Sequence, residues 1–107
     1  MTSICYHVKE FLLAGGKSPY RKWLMGLDMP IAARVQARTL RLEQGNFGDC
    51  RHIGYGVHEL RCHFGGGYRI YFGKADRKVI VLLLAGDKSS QKRDIVRAQR
   101  YWKEYLT

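Results

Sequence analysis

The sequence predicts one two-layer α+β domain, an antiparallel sheet with two N-terminal helices and one C-terminal helix in the order β-α-α-β-β-β-α. Three observations lead there. The 107 residues suffice for one hydrophobic core and leave no room for a second domain, so residues 1–107 are read as a single unit. Between Ser18 and Gly45 apolar residues recur at helical spacing, whereas from Val57 to Ala85 they fall in short runs separated by Gly-rich or polar loops. The run Val79-Ile80-Val81-Leu82-Leu83-Leu84 is apolar on both faces, the mark of a central strand covered on both sides.

Taken in order, Ile4, Tyr6 and Val8 alternate with Cys5 and His7, the period-2 pattern of a short strand. After Gly15-Gly16, Ser18 can cap free backbone N–H groups while Pro19 tolerates the first helical position, and Tyr20, Trp23, Leu24 and Leu27 form one apolar stripe. Asp28 and Pro30 restart the chain into a second helix, with Ile31, Val35, Thr39 and Leu42 on one face and its end near Gly45. Gly45-Asn46-Phe47-Gly48-Asp49 reads as a loop. Strands follow at Val57–Cys62, Tyr68–Gly73 and Lys78–Ala85, and the short connections Gly65-Gly66-Gly67 and Lys74-Ala75-Asp76-Arg77 favour an antiparallel meander. Past Gly86 a polar segment, Asp87 to Gln91, leads into a last helix on which Ile95, Ala98 and Trp102 recur at helical spacing.

Charge narrows the class of partner. Nineteen Lys and Arg against nine Asp and Glu give a net charge of +10, spread along the chain, which points to a polyanion: RNA, DNA, an acidic membrane surface or an acidic protein. The longest apolar run, Val79 to Ala85, falls far short of the roughly 20 residues of a membrane-spanning helix. The start, Met1-Thr2-Ser3-Ile4-Cys5, lacks a basic and then apolar leader, so a cytoplasmic protein with no membrane partner is expected. Cys5, Cys50 and Cys62 are odd in number and form no Cys-x-x-Cys pair, and His7, His52, His58 and His63 lack the spacing of a metal-binding helix. Neither a disulfide framework, a metal site nor a cofactor is indicated.

Candidate site residues come from strand faces and from one helix end. Arg69 and Tyr71 share a strand face and are suited to hold a phosphate and a base; Glu59 and Arg61 share a face of the preceding strand, which the hairpin sets beside Arg69. A basic concavity follows, although Arg69 has an alternative as the salt-bridge partner of Glu59. Lys88, Lys92 and Arg93 put positive charge at the start of the last helix, where the dipole is already positive. Either they solvate the helix end, or a bound anion draws on them together with the free N–H groups. Arg34, Arg38 and Arg41 share a face of the second helix, as a solvated face or as a stripe that tracks phosphates or a partner. His63, beside the glycine turn, is a general base by residue type and an ordinary surface residue by position.

Four segments carry a family resemblance: Leu40-Arg41-Leu42-Glu43-Gln44-Gly45-Asn46-Phe47-Gly48-Asp49; Gly54-Tyr55-Gly56-Val57-His58-Glu59-Leu60-Arg61; Gly67-Tyr68-Arg69-Ile70-Tyr71-Phe72-Gly73; and Leu82-Leu83-Leu84-Ala85-Gly86-Asp87-Lys88-Ser89-Ser90-Gln91. From about Phe11 to Trp102 the chain resembles a phage-type addiction-module killer protein, a HigB-like branch of the RelE/ParE toxin superfamily. The resemblance implies a RelE-like fold and the toxin of a type II toxin-antitoxin system. It further implies a metal-independent endoribonuclease acting on messenger RNA at the ribosome to inhibit translation, neutralised by a cognate helix-turn-helix antitoxin.

By the same resemblance, Arg69 matches the strand arginine that stabilises the scissile phosphate, Lys88 a basic group after the last strand, and Arg61 a basic position on the preceding strand. The reaction would be attack of the RNA 2′-hydroxyl on the adjacent phosphorus, in which arginines stabilise charge and do not act as bases. Where RelE-like enzymes often carry a tyrosine near the start of the last helix, this chain has Asp94-Ile95, with Tyr71 or His63 as substitutes. Two other functions share the fold or the charge: a ParE-like toxin that inhibits DNA gyrase, and a non-catalytic module that binds RNA or antitoxin.

Overall fold

A computed structural model describes residues 5–107. The paired part of the first strand, β1, runs His7–Glu10, slightly later than the expected Ile4–Val8; Ile4 lies outside the described residues. Helices α1 (Pro19–Met25) and α2 (Met29–Glu43) start as the sequence indicates. Ser18 Oγ accepts the backbone N–H of Arg21 at 3.0 Å, and prolines occupy the first turns.

Strands β2 (Cys50–Gly54), β3 (Val57–Cys62), β4 (Tyr68–Asp76) and β5 (Val79–Asp87) follow, then a single 3-10 turn, Lys88–Ser90, and helix α3 (Gln91–Leu106). The α+β class stands, with two additions. Strand β2 makes the sheet five-stranded, and β4 continues through Lys74-Ala75-Asp76, so the turn to β5 shrinks to Arg77-Lys78, with Asp76 Oδ1 accepting from Lys78 N at 2.9 Å.

The sheet order is β1-β5-β4-β3-β2. The four later strands form the expected antiparallel meander, while β1 returns to lie parallel to β5, from His7 opposite Val79 to Glu10 opposite Leu82. Strand β5 is therefore interior along its first half, and its apolar run on both faces meets helices on both sides of the sheet.

Alternation along the strands sorts side chains into two cores. On one face Leu60, Ile70, Phe72, Ile80 and Leu82 pack under Tyr20 and Leu24 of α1 and Val35 and Leu42 of α2. On the other, Val57, Tyr71, Val81 and Leu83 pack under Ala98, Tyr101 and Trp102 of α3. The helices thus cover both faces, the paired N-terminal helices one and the last helix the other, so the expected two layers become three, with the sheet in the middle. Two glycines let α3 approach so closely. A Cβ on Gly73 would stand 2.5 Å from the Trp102 ring, and one on Gly86 would stand 2.1 Å from Oδ2 of Asp94.

Candidate nucleic-acid interface

Strand register builds a cluster of charge on the α3 face of the sheet. Arg51 of β2 lies opposite Glu59 of β3, which lies opposite Tyr71 of β4; one step along, Arg61 of β3 lies opposite Arg69 of β4, which lies opposite Gly86 of β5. Side chains opposite each other in neighbouring strands share a face. These two adjacent rows therefore bring three arginines to one glutamate, and the first residue of α3, Gln91, closes over them.

Glu59 is fully buried. Its Oε1 accepts from Arg51 Nε at 3.0 Å and from Arg61 Nε at 3.4 Å, and its Oε2 accepts from Gln91 Nε2 at 3.0 Å. Burial by itself raises a carboxyl pKa, but the hydrogen bond from Gln91 and the guanidiniums of Arg51 and Arg61 outweigh it and hold Glu59 below the usual carboxylate range. The group is an anion, and its task is to gather arginines. Arg69 is the loosest of the three: its Nε sits 3.8 Å from Oε2, beyond hydrogen-bond range, and has no partner among the described residues although the side chain is only 13% exposed.

The donor count explains what is left over. A guanidinium carries five N–H donors and a carboxylate about four acceptor sites, so one carboxylate satisfies only a fraction of three arginines. Arg51 and Arg61 keep 53% and 36% of their side chains exposed, and their remaining donors meet solvent. Planar, always charged groups with free parallel donors match the geometry of a phosphate. Asp94, buried under the first turn of α3 and hydrogen-bonded by Ser90 Oγ at 2.5 Å, adds a second buried acid beside Gly86, and positive charge remains in excess.

The other candidate residues divide. Lys88 and Lys92 are exposed, Lys88 on the 3-10 turn that follows β5 and Lys92 on the first turn of α3. Arg93 lines a different cleft, of about 660 Å³, together with Lys17, Lys22, Trp23 and Arg97 between α1 and α3. His63 is exposed just past the end of β3, its Nε2 2.5 Å from Oδ2 of Asp49.

Two residues are held where RNA cannot use them as the sequence suggested, and a third, Arg34, is exposed on the far side of the sheet. Tyr71 belongs to the core under α3 with no exposure, so its ring is closed to base stacking; burial first, and then the negative charges of Glu59 and Asp94, push its pKa up and keep it protonated. Arg38 is buried and donates to the carbonyls of Asn46 at 3.4 Å and Phe47 at 2.8 Å, pinning the loop after α2. Arg34 lies over the Phe64 ring, 4.1 Å from its centroid, on the helix that covers the opposite face.

Sequence reasoning met Glu59 only as a possible partner for Arg69, and it missed Arg51 and Gln91. Arg51 is invisible without β2. Gln91 was legible as the residue that opens the last helix, but its aim depends on how that helix lies across the sheet. Among the described residues, no three His, Cys, Asp or Glu side chains converge as a metal site, and no helix is long and apolar enough to cross a membrane.

The sequence has relatives. An uncharacterised protein of Haemophilus influenzae (strain Rd) is 40% identical over 81 residues, which span 75% of this chain and 82% of the relative. The model of the family described as phage-derived protein Gp49-like (DUF891) matches residues 22–103, from α1 through nearly all of α3, and so includes every arginine of the cluster. The chain belongs to the Gp49-like family of phage-derived proteins, a toxin-like family of addiction modules.

Proposed function

We propose that this protein is the toxin of a type II toxin-antitoxin pair, a HigB-like member of the RelE/ParE superfamily that cuts messenger RNA at the ribosome without a metal ion. The observation that carries this reading is the cross-strand pair Arg61 and Arg69, joined by Arg51 over the buried Glu59. It supports a phosphate site, because the donors exceed what the fold consumes and Arg69 Nε has no partner of its own among the described residues.

In the reaction, the RNA 2′-oxygen attacks the adjacent phosphorus as the bond to the 5′-oxygen breaks, giving a cyclic phosphate and a 5′-hydroxyl. The arginines hold the phosphate in line and stabilise the charge that builds on its oxygens. They do not take the proton, since a guanidinium stays charged, and neither does Glu59, whose carboxylate is buried and committed to the arginines. His63, two residues beyond Arg61 and just past the end of β3, is an exposed histidine on this side of the chain that Asp49 orients. Lys88, exposed at the same end of the sheet as Arg69, adds long-range attraction. An acidic segment of the antitoxin, a helix-turn-helix protein, would neutralise the toxin by covering this cluster.

Induced expression in cells tests the reading against gyrase inhibition. Wild type is expected to stop incorporation of labelled amino acids first, with Arg69→Ala non-toxic and folded, because Glu59 keeps Arg51, Arg61 and Gln91 as partners. Early arrest of DNA synthesis with protein synthesis intact, or full toxicity of folded Arg69→Ala, overturns it.

A further inference from the structure

The β2–β3 hairpin turns through Tyr55 and Gly56, which join Gly54 to Val57. Both turn residues have positive φ, 54° at Tyr55 and 82° at Gly56. That combination belongs to type I′ turns, whose preferred sequence is Asn-Gly. Glycine at 56 has a packing reason too, since a Cβ there would stand 2.7 Å from Trp102 Nε1. Tyrosine at 55 has no such reason. It is the one non-glycine residue with positive φ among the described residues, a conformation that costs an L side chain free energy, and it is 84% exposed. The turn disfavours this residue and the core does not use it.

Its surroundings indicate what the ring can hold. Tyr55 borders an open pocket of about 470 Å³ with Gln99, Arg100, Trp102, Lys103 and Leu106 of α3. Trp102 and Leu106 give it an apolar floor and Arg100 and Lys103 a cationic rim, with no acidic side chain among its lining residues. An exposed aromatic face beside paired cations suits a nucleobase and its flanking phosphates, as in sequence-tolerant binding of single strands. The net charge of +10 complements that polyanion. The pocket also lies on the α3 side of the sheet, the side of Arg61 and Arg69. Strand β3 leads from Val57, next to this tip, to Arg61, about 13 Å at the usual rise per residue, so the base held here is not the one at the scissile bond.

We infer that Tyr55 is a stacking platform for an unpaired base of single-stranded RNA, several nucleotides from the cut; this rests on the ribonuclease reading above. The probe is a labelled, 2′-O-methylated eight-nucleotide single strand, which cannot be cleaved, titrated by fluorescence anisotropy against wild type, Tyr55→Phe and Tyr55→Asn. Asparagine suits the turn, so Tyr55→Asn is expected to melt no lower than wild type and yet to bind about tenfold more weakly, while Tyr55→Phe stays within about twofold. Equal affinity in Tyr55→Asn overturns the platform and leaves the apolar floor to a protein partner. Absence of binding by wild type overturns it as well. Cleavage of translated message by wild type is read separately: cleavage with an indifferent Tyr55→Asn removes the platform alone, and no cleavage removes the ribonuclease reading itself.

Discussion

Glu59 shows how one residue sets the chemistry of a surface it never reaches. Left alone in the core, an ionised carboxylate would be neutralised; surrounded by Arg51, Arg61, Arg69 and Gln91 it remains charged and fixes their positions. Removing one partner of a buried ion pair costs more than the pair contributes, because the other charge is left uncompensated. Arg51 and Arg61 are partly solvated, so Glu59→Gln is expected to cost only about 2–3 kcal/mol, read from denaturant unfolding.

The same substitution has a signature in pH. The folded carboxyl lies below its ordinary value of 4.5, so its stabilisation is complete above that value and drains away as pH falls through the lower folded value. Melting temperature against pH should therefore fall more gently in Glu59→Gln than in wild type across the acid limb; parallel curves would contradict a charged Glu59. Part of this site was legible in the sequence: Arg61 and Arg69 follow from strand alternation and from the hairpin between them. That Tyr71 is core and Arg38 a loop pin was not, because a face carries no label of what covers it.

At the scale of elements, α3 is the part that closes over the basic sheet and completes the arginine cluster. Its first residue reaches Glu59, its Asp94 sits over Gly86, and its Trp102 lies flat against Gly73. Periodicity marks the helix and its apolar stripe, but not the face it covers, which depends on two glycines that read only as the ends of strands. Strand β2 escaped for a related reason. Arg51 and His52 are both exposed and Gly54 ends the strand at an irregular pairing, so no alternation marks Cys50–Gly54. Gly73→Ala is expected to push Trp102 off the sheet, lower stability by about 1–3 kcal/mol and raise near-ultraviolet spectral disorder. An unchanged melting temperature would mean that the docking of α3 is looser than the contact implies.

For the whole molecule the governing quantity is charge. A net +10 on one small domain favours fast, long-range attraction of a polyanion, and on the proposed reading the arginine cluster is where the RNA is received. If Arg51, Arg61, Arg69 and Lys88 each neutralise one phosphate of a single strand, the logarithm of the RNA association constant should fall with the logarithm of salt at a slope of about −3 or steeper. Arg69→Ala should make that slope shallower by about 0.7. A slope near zero would mean that the charge serves some other partner.

On the proposed reading Arg69 helps to cut RNA. Primer extension on a message translated in a purified system, with wild type and Arg69→Ala compared side by side, reads this out. New, discrete ends with wild type and none with Arg69→Ala are the expected result. Intact message with both proteins, or identical ends with both, would contradict it.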